Sequence, residues 1–207
     1  MLATGPGTSS STSTGCYLLD TRTMALEIPI RSGTKDSYLI STDPSLIALD
    51  ALNDIFASDD FHWGSPLPLD HLQTFVQRSL CFALYDTAAD IDAQQQQQGP
   101  RPPDASPGPG PGHQRRLIGF ARWITDMVTV NYLTDVYILP EHRGKRLGVW
   151  MMECIDDMFK AMPHLRGMIL IADRGSSTEA FYRRHLSMID LASPSFCMDR
   201  KGKGSAH

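Results

Sequence analysis

The stretch Asp135–Gly148, DVYILPEHRGKRLG, holds residues whose types and spacing point most directly to chemistry. An apolar run stops at Pro140. A turn containing Arg143, Gly144, Lys145 and Arg146 then leads through Leu147 and Gly148 into a long amphipathic pattern. Backbone N–H groups at a helix N-terminus have no partner inside the helix, so such a turn can receive an anion. A cation facing the positive end of a helix dipole is disfavoured by a few tenths to about 1 kcal/mol, and three together make sense when an anion sits among them. Gly144 and Gly148 let the backbone come close to that anion. The plainer alternative is a solvated basic turn; the strand before it and the helix after it favour the anion site. Two familiar phosphate signatures are missing. GxxxxGK(S/T) has no match, and GxGxxG requires three glycines where this turn supplies one.

The elements that must position this turn follow from periodicity. Residues 1–35 combine a Ser/Thr-rich tail with the short apolar stretch Met24–Ile30, and are expected to be mostly disordered or to add an edge strand. Ser37–Ile40 reads as a strand. Asp43-Pro44 reads as a helix start, followed by Leu46, Ile47, Leu49, Leu52, Ile55 and Phe56 at helical spacing. A loop, Asp59–Pro68, carries Phe61, His62 and Trp63, and a second short helix is expected over Asp70–Ser79. Leu80–Tyr85, Leu117–Ile124 and Tyr132–Leu139 read as strands, the first two separated by a low-complexity loop at 87–115. That loop contains five consecutive glutamines and, over residues 99–112, ten Gly or Pro, so it cannot form a packed core. Gly144–Met162 is the strongest helix, with Leu147, Met151, Cys154, Ile155, Met158, Phe159 and Met162 along one stripe. A buried strand at Gly167–Ala172, a helix capped by Ser176 or Ser177 and running to His185, and one or two strands in Met188–Met198 complete the order βααβββαβαβ. Such an order gives an α+β chain, a mixed sheet with helices on both faces. The domain is expected over residues 36–200, with a flexible tail at 201–207.

Composition excludes several classes. A net charge of −4 argues against a general nucleic-acid binder, and no apolar run approaches a membrane-spanning length. The N-terminus lacks the basic start and apolar core of a secretory signal, which gives a cytoplasmic expectation. Cys16, Cys81, Cys154 and Cys197 form no CxxC pair and read as free thiols, with no metal site expected.

VYILPEHRGKRLGVWMM resembles the acetyl-CoA-binding segment of the GNAT (GCN5-related N-acetyltransferase) superfamily, whose signature is Q/R-x-x-G-x-G/A. Arg143 fills the first position and Gly148 the last, while Arg146 stands where the middle glycine is usual. STEAFYRRHLSM is similar to the family's fourth-helix pattern. Tyr182 stands on its tyrosine and Met188 on its closing apolar position; Ser187 replaces a glycine, and Gly175 an asparagine that in many members touches pantetheine. SLCFALYD and LIGFARWITD resemble the second and third strands, so the likeness runs over about residues 37–200 apart from the insert.

The resemblance implies a twisted mixed sheet of about six to seven strands flanked by four helices, and acetyl transfer from acetyl-CoA to an amine by direct attack in a ternary complex. It further implies that backbone groups of Val136, Tyr137 and Ile138 pair with the pantetheine arm and polarise the thioester, while Arg143, Gly144, Lys145, Arg146, Leu147 and Gly148 hold the pyrophosphate. Ser177 joins the cofactor contacts, and Tyr182 returns a proton to the departing thiolate. The acidic candidates for taking the amine's proton are Asp135 and Asp126. Asp135 is alternatively a hydrogen-bonded structural residue, since a carboxylate in YLTDVYIL needs a partner or a purpose, and Asp126 a turn cap. His62 and Trp63 border the expected acceptor pocket, with packing as their alternative. A small amine is the expected acceptor, with a protein lysine or N-terminus, or a non-catalytic CoA-binding module, as competing readings. The chain is expected as a monomer or homodimer.

Overall fold

A computed structural model describes residues 30–88 and 115–191. The tail up to residue 29, the low-complexity loop between 89 and 114, and residues from 192 onward, with Cys16 and Cys197, lie outside the described residues. The elements are β1 (Ser32–Lys35), β2 (Tyr38–Ser41), α1 (Leu49–Phe56), α2 (Leu69–Gln77), β3 (Leu80–Asp86), β4 (Arg116–Thr125), β5 (Val130–Ile138), α3 (Leu147–Lys160), β6 (Gly167–Ile169) and α4 (Ser177–Leu186). The strands form one sheet in sequence order, antiparallel throughout except for the parallel pair β5–β6. The α+β expectation is met: among the described residues a six-stranded mixed sheet is accompanied by four helices.

The all-apolar run of β3 follows from its being covered on both faces. Leu80, Phe82 and Leu84 enter the cluster containing α3 and α4, whereas the alternate residues Cys81, Ala83 and Tyr85 enter the cluster containing α1 and α2. The edge strand β1 pairs with β2 from Ser32↔Ser41 to Lys35↔Tyr38. The two described thiols, Cys81 and Cys154, are free, and burial pushes them up to about 12 and about 11, so both are protonated at neutral pH.

Several boundaries differ from expectation for local reasons. Asp43 does cap a turn, accepting from the Ser45 amide at 2.9 Å, but that turn is a 3-10 segment, Pro44–Leu46. Extended Ile47 breaks it before α1 begins at Leu49. The helix expected from Gly144 begins at Leu147, because Gly144 and Arg146 have φ of 79° and 61°, which a right-handed helix cannot contain. The strand expected over Gly167–Ala172 is paired only to Ile169. Residues 188–191, expected to begin a strand, are not in one, and the rest of that segment lies outside the described residues.

Candidate active site

Two bulges decide which side chains meet at the end of β5. Phe120 pairs with Tyr137 and Arg122 with Thr134, so three steps on β5 oppose two on β4, and Asp135 takes the left-handed backbone with φ of 55°. The extra residue reverses the strand's alternation. Leu133 faces the α3/α4 cluster, whereas Tyr137, four residues on, faces the α1/α2 cluster. A second shift, at Leu84/Tyr85 against β4, does the same for Ile118 and Phe120.

Asp135 itself is paired. Its Oδ2 accepts from Arg122 Nε at 2.7 Å, and both side chains are largely buried, at 14% and 12% exposure for Arg122 and Asp135. Arg122 also donates to Ser79 Oγ at 3.2 Å and lies 3.7 Å over the Phe75 ring. Asp126 is occupied at the β4–β5 hairpin tip, where its carboxylate accepts from the Val128, Thr129 and Val130 amides and the Thr129 hydroxyl. Those bonds hold its carboxyl well below the usual range. The tip precedes Val130, whereas the basic turn follows Ile138, so the structure does not bring Asp126 together with Arg143–Gly148.

Beyond Tyr132, β5 has no pairing with β6: the parallel ladder ends at Tyr132↔Ile169. The strands therefore part along the side where Val136, Tyr137 and Ile138 lie. The N-terminus of α3 comes next, with no side-chain cap and no acidic residue in its first turn. Lys145 and Arg146 are exposed beside it. A Cβ added at Gly144 would meet nothing within 4 Å, so glycine serves the backbone angle there and leaves the surface open. A Cβ at Gly148 would meet Ile138 and Phe181, each at 3.6 Å, which places α4 against this end of β5. The amide donors, the basic side chains and the parted strands together fit a phosphate-bearing ligand with a narrow arm.

Where the resembling patterns carry glycine and this chain does not, the backbone keeps the conformation that favours glycine. Arg146 and Ser187 both have left-handed backbone, with φ of 61° and 53°, and Gly175 has φ of 76° where the resembling pattern carries asparagine, the side chain that best tolerates that region. Ser176, not Ser177, caps α4, accepting from the Glu179 amide at 3.0 Å; Glu179 in turn accepts from the Gly175 amide. Ser177 is exposed in the first helical turn. Tyr182 is buried in the α3/α4 cluster, and burial pushes its hydroxyl up to about 12. It also lines a cavity of about 470 Å³ with Met168–Ala172 and Met188–Leu191.

The loop between α1 and α2 packs on Tyr137. Phe61 is buried edge-on to that ring at 5.7 Å, Trp63 lies 4.4 Å from Phe61, and His62 sits 5.1 Å from Trp63. Trp63 and His62 are exposed. Two groups that the sequence reading left out join here: Asp60 accepts from Tyr137 and from Arg143, and Ser58 Oγ lies 3.1 Å from the Tyr137 hydroxyl. The hydrogen bond from Tyr137, then that from Arg143, hold the Asp60 carboxyl below its ordinary value. Arg143 thus directs its guanidinium at Asp60 and the Ile138 carbonyl, and its amide donates to Pro140. Arg122 was missed as well. Its signal was available: opposite charges inside two apolar runs that a hairpin sets side by side.

Among the described residues no group of three or more His, Cys, Asp or Glu is placed to hold a metal ion, and no helix is long and apolar enough to cross a membrane. A family model described as the acetyltransferase (GNAT) family matches residues 77–187. A protein of Gibberella zeae, FG08082, provisionally named an acetyltransferase, is 37% identical over 138 residues, which are 67% of this chain and 73% of that protein. Among solved structures, a Xanthomonas campestris protein provisionally assigned to the same family is similar at 26% identity and a TM-score of 0.57, covering 83% of this chain and 97% of that one. A GNAT family acetyltransferase of Streptococcus pneumoniae shares the fold at 14% identity and a TM-score of 0.53, over 80% of this chain and 98% of that one.

Proposed function

Because the chain belongs to the GNAT acetyltransferase family, we propose that it transfers an acetyl group from acetyl-CoA to the amine of a small molecule by direct attack in a ternary complex. The observation that carries this reading is the parting of β5 from β6 beyond Tyr132 beside the uncapped N-terminus of α3.

When bound, acetyl-CoA supplies an activated thioester. The amides of Gly144, Lys145, Arg146, Leu147 and Gly148 would cradle its pyrophosphate, with the Lys145 and Arg146 side chains adding charge. Backbone groups of Val136, Tyr137 and Ile138 would pair with the pantetheine arm and polarise the thioester carbonyl as fixed dipoles. Arg143, exposed at the head of the turn, and Ser177, in the first turn of α4, are further proposed cofactor contacts. Tyr182, protonated throughout the neutral range, would donate to the departing thiolate. His62 and Trp63 would face the acceptor. The loop carrying them lies down on Tyr137, which favours a compact amine over an extended peptide. Since Asp135 is bound to Arg122, its proposed role is to anchor the bulge, and Asp126 caps the hairpin tip. The proposed location is cytoplasmic, with acetyl-CoA and the amine as partners and neither nucleic acid nor membrane.

Mixing acetyl-CoA with a panel of primary amines and following free thiol is the direct test. Amine-dependent CoASH release with acetylated product is expected. CoA binding without release by any amine or peptide would overturn catalysis in favour of a binding module.

Arg146→Gly separates the two consequences of the departure at that position. Left-handed backbone costs an L-residue roughly 1–2 kcal/mol, and glycine gives back about half of the gain as unfolded-state entropy. A stability gain of roughly 0.5–1 kcal/mol is expected, read as a rise of about 2–4 °C in Tm. Removing a cation from the anion site should simultaneously raise the Kd for CoA by roughly threefold at low salt, measured by calorimetry. An unchanged Kd would remove the Arg146 side chain from the site.

A further inference from the structure

We propose that Asp60 is a positioning residue that fastens the acceptor-side loop to the cofactor-side strand and turn, so that the two substrate sites are mechanically joined. The inference rests on the acetyl-transfer reading for the identity of those sites, but its geometry stands apart from it.

The loop between α1 and α2 is held at its far end by Asn53, whose side chain donates to the Leu67 carbonyl at 2.8 Å and accepts from the Leu67 amide at 2.9 Å. Nearer its start the charged fastening is Asp60, two residues after Ser58, whose hydroxyl reaches the Tyr137 hydroxyl at 3.1 Å. Tyr137 donates to Oδ1 and Arg143 Nη2 to Oδ2, each at 2.5 Å, so one carboxylate bridges β5 and the basic turn. Arg143 is fixed in turn by its bond to the Ile138 carbonyl at 2.8 Å, and its guanidinium lies 5.2 Å from the Tyr137 ring centre. Tyr137 reaches Asp60 because the bulge at Asp135 turned it to the α1/α2 face. Asp60 is followed directly by Phe61, His62 and Trp63, the residues that pack on Tyr137 or stand exposed beside it.

A displacement of the backbone at Tyr137–Ile138, or of Arg143, therefore pulls on Asp60 and is passed to Trp63. A ligand lying along that edge and turn would order the loop before the acceptor arrives. Charge-assisted hydrogen bonds are the stronger ones, and two of them converge on this carboxylate.

Trp63 emission provides a readout that does not need catalysis. Titrating CoA into the full chain and into Trp63→Phe isolates that signal, which is expected to change with CoA in the unaltered chain and to stay flat in Asp60→Ala. Calorimetry should find CoA affinity in Asp60→Ala within about threefold of the unaltered chain. With tyramine, lysine and spermidine as amine probes, the KM for the amine that is turned over should rise by roughly tenfold, a loss close to that of one charge-assisted hydrogen bond. Its kcat should fall much less, and Asp60→Asn, which retains an acceptor oxygen, should recover part of the loss. A CoA-dependent Trp63 signal that survives in Asp60→Ala, or is absent from the unaltered chain, overturns the proposal. So does an amine KM that stays put. If no amine is turned over, the transfer reading fails, and the Trp63 titration alone still decides whether Asp60 joins the two sides.

Discussion

Tyr182→Phe is expected to lower turnover by roughly 10²-fold while CoA affinity stays within about threefold. Phenylalanine keeps the ring in the α3/α4 cluster and deletes only the hydroxyl, so the core is spared a large cavity. The magnitude follows from proton affinities. A thiol and a phenol ordinarily differ by about 1.5 units, and burial has moved Tyr182 up to about 12, further from the thiol. Complete proton transfer to a thiolate is then uphill, and the hydroxyl does its work chiefly as a hydrogen-bond donor to the developing charge. That places the effect at the lower end of general-acid contributions, which span about 10²–10⁴. The same shift sets the pH behaviour. The folded protein holds this proton more tightly than the unfolded chain, so the stability it contributes is complete below pH 10 and is lost as pH rises from 10 to about 12. Turnover should show no alkaline loss from Tyr182 below about pH 10, and alkaline unfolding of Tyr182→Phe should begin at higher pH. Unaltered turnover in this variant would remove Tyr182 from the proton-donor role.

The layered arrangement was readable because burial on two faces leaves a plain mark. LCFALY is apolar at every position, and GVWMMECIDDMF shows one stripe, so the central strand and the helix after the basic turn stood out. The turn itself was readable from its cations at the wrong end of a helix dipole. What was hidden depends on register. No single-strand pattern reveals that Asp135 adds one residue and flips Tyr137 to the opposite face, because the flip exists only against β4. Without it, Tyr137 would not meet Arg143 at Asp60, and Asp60 looks like one of several surface aspartates. GMILIA has strand composition throughout, so no residue in it marks Ile169 as the point where pairing stops. Arg146 and Ser187 looked like losses of glycine, but their backbone retains the glycine conformation. Sequence shows the change of side chain and conceals the unchanged backbone.

Breaking the Arg122–Asp135 pair is expected to be the most damaging change in stability. Asp135→Ala leaves a largely buried guanidinium without its carboxylate and places a side chain with no local hydrogen bond in left-handed backbone. Removing one partner of a buried ion pair typically costs about 3–5 kcal/mol. Residual exposure and the bond to Ser79 soften this, so about 3 kcal/mol is expected from denaturant unfolding. Asp135→Asn should cost less, near 2 kcal/mol, since asparagine tolerates the left-handed region and can still accept from Arg122. Combining Asp135→Asn with Arg122→Met removes the stranded charge, and the double variant should be more stable than the sum of its parts. Activity then separates anchor from base. A base at Asp135 would leave Asp135→Asn folded, slow, and without the acid limb of its pH–rate profile. An anchor predicts a loss that is the same at every pH and falls mainly on the amine KM. When the bulge slips by one residue, Tyr137 turns to the α3/α4 face and Asp60 loses one of its two donors. The double variant discriminates further: recovered stability with an uncorrected amine KM would mean that the bulge needs this ion pair for its register as well as for its energy.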